Sequence, residues 1–327
     1  MSWEAENEEA NRLTRRGMAR AEAGELAEAL ADFEAAIRLR EGLDWRNEGL
    51  VCWGLAAGLI NRGDVLARLG EGGRALASYE NAARVLAHME RTPAVRERLG
   101  ILWNQHGVLL EAMGAREAAL GSFRQALGAF EKGNPSLVPV AALLHLSRLA
   151  PPEHRRALTE EALGRVRTRE KEELAAAEIG IKARHHLCEL ACELLLAGKK
   201  EDLPRDWIAE VSDWAEEGLA VAREWEAQGE TGLRSLALDF FRLALRVYRT
   251  CQPQFLAEFI LEQLDPELSL GAWGGLVEFR AAALGALRQA MAELLDYVVI
   301  GEEEIAKRQE RLRELRSVDE RLAQLGK

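Results

Sequence analysis

The sequence predicts an all-α protein: an array of helical hairpins, about 14 helices in all, closed by a C-terminal capping helix. Three observations lead there. The 327 residues are 48% hydrophobic and 30% charged, with only 6% aromatics and 8 prolines. A chain so rich in Ala, Leu, Glu and Arg, and so poor in β-branched residues, favours helix almost throughout. One skeleton recurs three times without a gap within the first 133 residues. The prolines from Pro135 onward fall between apolar-periodic stretches, where elements start, and not inside them.

The skeleton is carried by RGMARAEAGELAEALADFEAA, RGDVLARLGEGGRALASYENAA and HGVLLEAMGAREAALGSFRQAL. Glycines recur as Gly17/Gly24, Gly63/Gly70 and Gly107/Gly114, followed by Ala29-Leu30, Ala75-Leu76 and Ala119-Leu120. An aromatic follows at Phe33, Tyr79 and Phe123, and a small residue at Ala36, Ala82 and Ala126. The first glycine of each pair lets two helices approach closely, and the second turns the chain. The Ala-Leu-x-x-aromatic-x-x-Ala run is one helical face. Each unit is therefore a helical hairpin.

This skeleton resembles the tetratricopeptide repeat (TPR), whose unit has small residues, a turn glycine, an aromatic and a further alanine at these offsets. The resemblance implies an α-solenoid, a right-handed superhelix of TPR-like hairpins. It places three repeats at residues 10–43, 56–89 and 100–133, with 134–327 as degenerate TPR-like hairpins and a C-terminal helical extension or cap. Successive units stand further apart than in the family, and repeats lengthened in this way are similar to those of kinesin light chains. Residues 44–55 and 90–99 read as added helical turns before each first helix, capped by Asp44 and by Thr92-Pro93. A fourth unit keeps Ala157-Leu158 at the expected step from His145, with Pro152 in the place of the turn glycine and Glu161 in that of the aromatic. Further helices are expected at 170–197, 204–228, 230–250, 252–264, 267–298 and 301–325. The last carries Ile305, Leu312, Leu315, Val318, Leu322 and Leu325 on a narrow apolar stripe, which suits a cap or a partner helix.

Charge excludes some functions. Lys and Arg number 43 against 54 Asp and Glu, a net charge of -11. Residues 201–327 alone hold 25 acids and 15 bases. Without a basic tract, nucleic acid is not an expected partner. No apolar run reaches the roughly 18 residues of a membrane span. The start, MSWEAENEEANR, is acidic where a signal peptide is basic and then apolar. Cys52, Cys188, Cys192 and Cys251 form no disulfide framework. The expectation is a cytoplasmic protein with no cofactor.

His185, Cys188 and Cys192 share a helix face with metal-ligand spacing, but three ligands from one helix make only part of a zinc site, and small core cysteines explain the same pattern. No nucleophile, phosphate-loop or dinucleotide motif is present, so no catalytic residue is expected. Trp207, Trp214 and Trp225 share a face, as core packing or as an aromatic docking stripe.

In the family, the first helix of each hairpin lines a concave groove that holds an extended or helical peptide. The matching positions are Asn11, Thr14, Arg15, Met18 and Glu22 in the first unit, and Ile60, Asn61, Asp64 and Arg68 in the second. In the third they are Ile101, Asn104, Gln105, Val108 and Glu111. Carboxamides grip a peptide main chain, offering donor and acceptor together, so Asn61, Asn104 and Gln105 lead; ordinary solvated helix surface explains them equally well. Of the Lys/Asn/Asn/Lys/Arg clamp with which chaperone-binding members hold a terminal carboxylate, only Asn61 survives; Thr14, Met18, Ile101 and Gln105 fill the rest. The expected function is a non-enzymatic scaffold or adaptor for a protein or peptide partner. The alternatives are self-assembly as a homo-oligomer through the C-terminal helices and, lower, a helical enzyme or metal protein.

Overall fold

The computed structural model describes residues 2–130, 134–196, 207–265, 273, 276–296 and 302–324. The end of the third expected repeat (131–133) and Leu325 lie outside the described residues, as do the side chains of Trp207 and Cys251. Among the described residues there are fourteen α-helices and no strand. The chain divides into two compact units, Met1–Leu149 and Ala150–Lys327.

The N-terminal unit contains α1 (Trp3–Glu22), α2 (Leu26–Glu41), α3 (Gly49–Arg68), α4 (Gly72–Leu86), α5 (Pro93–Ala112), α6 (Arg116–Gly128) and α7 (Val138–Leu149). Sequential neighbours pack as the hairpins α1–α2, α3–α4 and α5–α6, and each hairpin packs on the next. The repeated glycines explain the geometry. A Cβ on Gly17, Gly63 or Gly107 would stand 2.8, 2.5 or 2.7 Å from the ring of Phe33, Tyr79 or Phe123, respectively. In each hairpin the aromatic thus lies on the bare backbone of the glycine, and any larger residue would overpack the contact. Gly24, Gly70 and Gly114 turn the chain with φ of 84°, 78° and 78°, a region other residues enter only under strain. Thr92 caps α5 by accepting from the Val95 amide at 3.3 Å, with Pro93 in the first turn.

Asp44 does not cap a helix. α3 begins at Gly49 after Glu48, and Asp44 instead closes a turn, its carboxylate accepting from Asn47 Nδ2 at 2.8 Å and its carbonyl from the Glu48 amide. The fourth expected hairpin is divided: α7 packs on α5 and α6 in the first unit, while α8 belongs to the second. His145, which stands where a glycine stands in the other units, stacks flat on Phe123 at 4.8 Å, and Glu161 offers no ring to replace the missing contact. The first compact unit ends at Leu149, after α7.

Among the described residues one helix, α3, is long and apolar enough to cross a membrane by length and composition. Its Val51, Cys52, Leu55, Ala56, Leu59 and Leu66 are buried in the unit, so the apolar length that the sequence reading passed over serves the core between hairpins.

The C-terminal unit contains α8 (Pro152–Val166), α9 (Leu174–Leu196), α10 (Trp207–Ala227), α11 (Arg234–Cys251), α12 (Leu256–Leu264), α13 (Val277–Asp296) and α14 (Glu302–Gln324). α8, α9, α10 and α11 pack in sequence, and α14 lies on α12 and α13. Phe240, Phe241, Phe259 and Phe279 centre its core. Leu312, Leu315, Val318 and Leu322 of α14 are buried in the unit, and Arg321 pairs with the buried Asp265 after α12. Four residues of the apolar stripe thus pack within one chain, and among the described residues of the stripe Ile305 is the exposed one.

An ion-pair network fixes the α8–α9 connection. Arg184, 2% exposed, makes a bidentate pair with Glu170, 3% exposed, at 2.5 and 3.1 Å, and also reaches Glu217 on α10. Trp225 Nε1 donates to the Glu170 carbonyl at 2.8 Å. Glu170 Oε1 lies where a Cβ on residue 180 would stand, so the pair exists because position 180 is glycine.

Candidate functional site

The expected groove is the face presented by α1, α3 and α5. Repeat by repeat its positions align as Thr14, Ile60 and Asn104, as Arg15, Asn61 and Gln105, and as Met18, Asp64 and Val108. The structure commits many of these residues internally. In the first hairpin, Asn11 Oδ1 and Thr14 Oγ1 accept from the guanidinium of Arg40 at 2.6 and 3.2 Å, with Asn7 Oδ1 at 3.1 Å. Arg40 is 1% exposed and packs against Gly54 and Gly58 of α3; burial pulls its pKa down. Arg15 pairs with Glu8 in solvent. Arg68 Nη1 donates to the Ala21 carbonyl at 2.9 Å, tying the second hairpin to the end of α1. Glu111 lies 3.0 Å from His145 Nδ1 and 3.3 Å from Arg148, tying α5 to α7. Ile60 is core.

Asp64 and Gln105 come together across the second and third hairpins. Asp64 Oδ1 accepts from the Tyr79 hydroxyl at 2.6 Å and Oδ2 from Gln105 Nε2 at 3.2 Å. Burial raises the Asp64 pKa above the usual carboxylate range, against the lowering effect of those two donors. The folded chain therefore holds this proton more tightly than the unfolded chain. The resulting stability is full below the unfolded pKa and is lost as pH rises through the folded one. Asp64→Asn is expected to remove that slope and to stay within about 1 kcal/mol of the parent at pH 7, because Asn Oδ1 still accepts from Tyr79 and Asn Nδ2 can donate to Gln105 Oε1 once that amide turns over. Urea unfolding from pH 4 to 8 measures both.

Five residues of this face keep a group for a ligand. Met18 and Val108 are 48% and 40% exposed at the same repeat position. Asn61 makes no hydrogen bond among the described residues. Asn104 Oδ1 is buried without a donor, as is Gln105 Oε1. Such atoms cost about 1–3 kcal/mol each until a donor reaches them.

Sequence reasoning missed a second ladder. The residues just before each glycine and each aromatic bond across the hairpin: Arg16 to Asp32 at 2.5 and 2.9 Å, Arg62 to Ser78 at 2.7 Å, and His106 to Ser122 at 2.9 Å. The separation is 16 residues in all three, and that constant spacing was the available signal. Arg16 holds the Asp32 carboxyl below its usual range, while burial holds His106 below its own.

His185, Cys188 and Cys192 do not assemble a metal centre. Cys188 and Cys192 are buried in the core of the C-terminal unit, Cys188 Sγ lying 3.6 Å from the Val211 carbonyl, while His185 turns to Glu189 and the Phe240 ring. Among the described residues no group of three or more His, Cys, Asp or Glu could hold a metal ion. Trp214 and Trp225 are partly buried against the same core, so they form no exposed stripe.

The glycine–aromatic hairpins with their left-handed turn glycines define a TPR-like helical-repeat fold, all-helical and packed in sequential hairpins. No family model and no curated protein matches the sequence. Solved structures match it at low identity. A tetratricopeptide repeat protein from Parabacteroides merdae shares 15% identity over 94% of this chain and 99% of its own, with a TM-score of 0.39. BtubC (BKLC) from P. vanneervenii shares 16% over 76% and 91%, with a TM-score of 0.33. The TPR domain of P58(IPK) shares 13% over 95% and 98%, with a TM-score of 0.19.

Proposed function

We propose that the protein is a non-enzymatic interaction scaffold whose N-terminal unit holds a peptide or helix of a protein partner against α1, α3 and α5. The carrying observation is the pair of donor-free buried acceptors, Asn104 Oδ1 and Gln105 Oε1, on a face that also exposes Met18 and Val108. A peptide main chain supplies N–H donors and apolar side chains together, which is what this face lacks. A cytoplasmic location belongs to the same proposal and agrees with thiols buried at Cys52, Cys188 and Cys192.

The test is affinity capture followed by quantitative binding of the captured partner. Asn61→Ala/Asn104→Ala/Gln105→Ala is expected to weaken binding about tenfold or more, a loss of about 1.4 kcal/mol, with the thermal transition retained. Undiminished binding by a folded triple variant removes the groove from the proposal.

A further inference from the structure

The C-terminal unit carries a second surface of different chemistry. On α12, Leu256, Phe259, Ile260 and Leu264 are buried, while Glu258 and Glu262 stand one turn apart on the outer side. On one flank of these carboxylates is a cavity of ≈ 270 Å³ that also collects Asp213 and Glu216. Its aromatic walls are Tyr248, Phe255 and Phe259, and Phe255 is 47% exposed. Among the described residues no lysine or arginine lines it. On the other flank, between α12 and α14, a groove of ≈ 770 Å³ is floored by Ala257, Leu261 and Val318 and edged by Arg313 and Glu314.

Several acidic groups of this unit are each held by an arginine: Glu170 and Glu217 by Arg184, Glu173 by Arg169, and Asp265 by Arg321. Here Asp213, Glu258 and Glu262 make no hydrogen bond or ion pair among the described residues, Glu216 accepts from the Tyr248 hydroxyl, and the half-buried guanidinium of Arg223 acts by its charge on Glu262 and Glu216, so among the described residues four carboxylates share one cation. The four carboxylates do not converge as metal ligands. A cation with its own length and an apolar stem fits them better than a bare ion.

We propose that this surface docks a short basic amphipathic segment of a protein partner. A Lys or Arg enters the carboxylate-lined cavity and lies against the exposed Phe255 ring, while an apolar side chain of the same segment fills the groove over Ala257, Leu261 and Val318. Charge complementarity steers the segment, the ring face attracts the cation, and the apolar floor supplies what a simple counter-ion could not use. The excess of acids over bases in residues 201–327 favours the same partner at longer range. This surface is independent of the N-terminal groove, and either can fail without the other.

The experiment uses the full chain and fluorescein-labelled helix-forming peptides of Lys, Leu and Ala, the same peptides with Glu for Lys, and a Lys-Gly-Ser peptide with no apolar residue. Fluorescence anisotropy is read at about 0.01 and 0.15 M ionic strength, where the Debye length shrinks from about 30 to about 8 Å. The Lys-Leu peptide is expected to bind, to weaken with salt, and to weaken a further tenfold or so in Glu258→Gln/Glu262→Gln. Phe255→Ala is expected to weaken it too, and Glu304→Gln/Glu310→Gln on α14 to leave it unchanged. All of these positions are exposed, so the variants keep the fold. No binding by the parent, full binding by the Glu258/Glu262 variant, equal loss in the α14 control, or equal binding of the Lys-Gly-Ser peptide overturns the proposal.

Discussion

Gly180→Ala is expected to destabilise the C-terminal unit by about 3–5 kcal/mol, the cost of breaking a buried ion pair from one side. The new methyl group would occupy the position of Glu170 Oε1, and α9 has no freedom to withdraw because Ala176, Ala177, Ile181 and Ala183 around it are fully buried. Glu170 must then leave Arg184, which keeps only its longer contacts of 3.2 and 3.3 Å to Glu217. The Glu170 carbonyl also holds Trp225, so loss of structure at the connection is read directly as a change in tryptophan fluorescence along a urea titration. Replacing both partners, as Glu170→Leu/Arg184→Met, is expected to cost less than Gly180→Ala, because it removes the charges as well as their bond. A Gly180→Ala protein as stable as the parent would show that the pair is not needed.

Arg40→Met is expected to cost the N-terminal unit about 2–4 kcal/mol. Methionine fills most of the volume, so the loss comes from Asn7 Oδ1 and Asn11 Oδ1, left without their donor at about 1–3 kcal/mol each. Two effects oppose. The guanidinium is buried without a carboxylate partner among the described residues, so its removal also relieves a desolvation cost. Arg40→Met with Asn7→Leu and Asn11→Leu, which deletes the acceptors along with the donor, is therefore expected to recover most of the lost stability. Chemical denaturation of the three proteins separates the terms; a single variant no less stable than the parent would mean that desolvation outweighs the three hydrogen bonds.

The hairpins were legible because their determinants are local. A glycine under an aromatic and a glycine at positive φ leave a fixed spacing in the sequence, and Gly17/Phe33, Gly63/Tyr79 and Gly107/Phe123 stand as that spacing requires. The place of α7 in the first unit was not legible, since the contact of His145 with Phe123 on α6 leaves no fixed spacing in the sequence. The candidate groove was legible as a face but not residue by residue. Helical phase places Asn11, Thr14 and Asp64 on that face, yet nothing in the phase shows that Arg40 takes the first two and that Tyr79 and Gln105 take the third. The two readings of His185, Cys188 and Cys192 could not be separated by spacing alone, since ligand spacing on one helix says nothing of whether the face meets solvent or, as the cysteines do, the core. In α14 the apolar stripe was visible, but that Leu312, Leu315, Val318 and Leu322 are buried in their own unit depends on α12 and α13, whose packing against α14 leaves no mark in the helical phase.

The ladder beneath the three glycine–aromatic contacts bears on how such a chain finds its own partners. Repeated units with the same apolar seam can mispair, each first helix closing on a neighbour's second. The seam cannot prevent this, since glycine and aromatic are alike in every copy. The polar rung beside it differs each time: two arginines on a carboxylate at Asp32, one arginine on a hydroxyl at Ser78, a neutral imidazole on a hydroxyl at Ser122. Closing α5 on α2 would bury Asp32 beside His106 without its two arginines, and closing α1 on α6 would leave Arg16 and Arg20 without their carboxylate. The rungs act as address labels, so a fold written three times in nearly the same words still has one correct reading order.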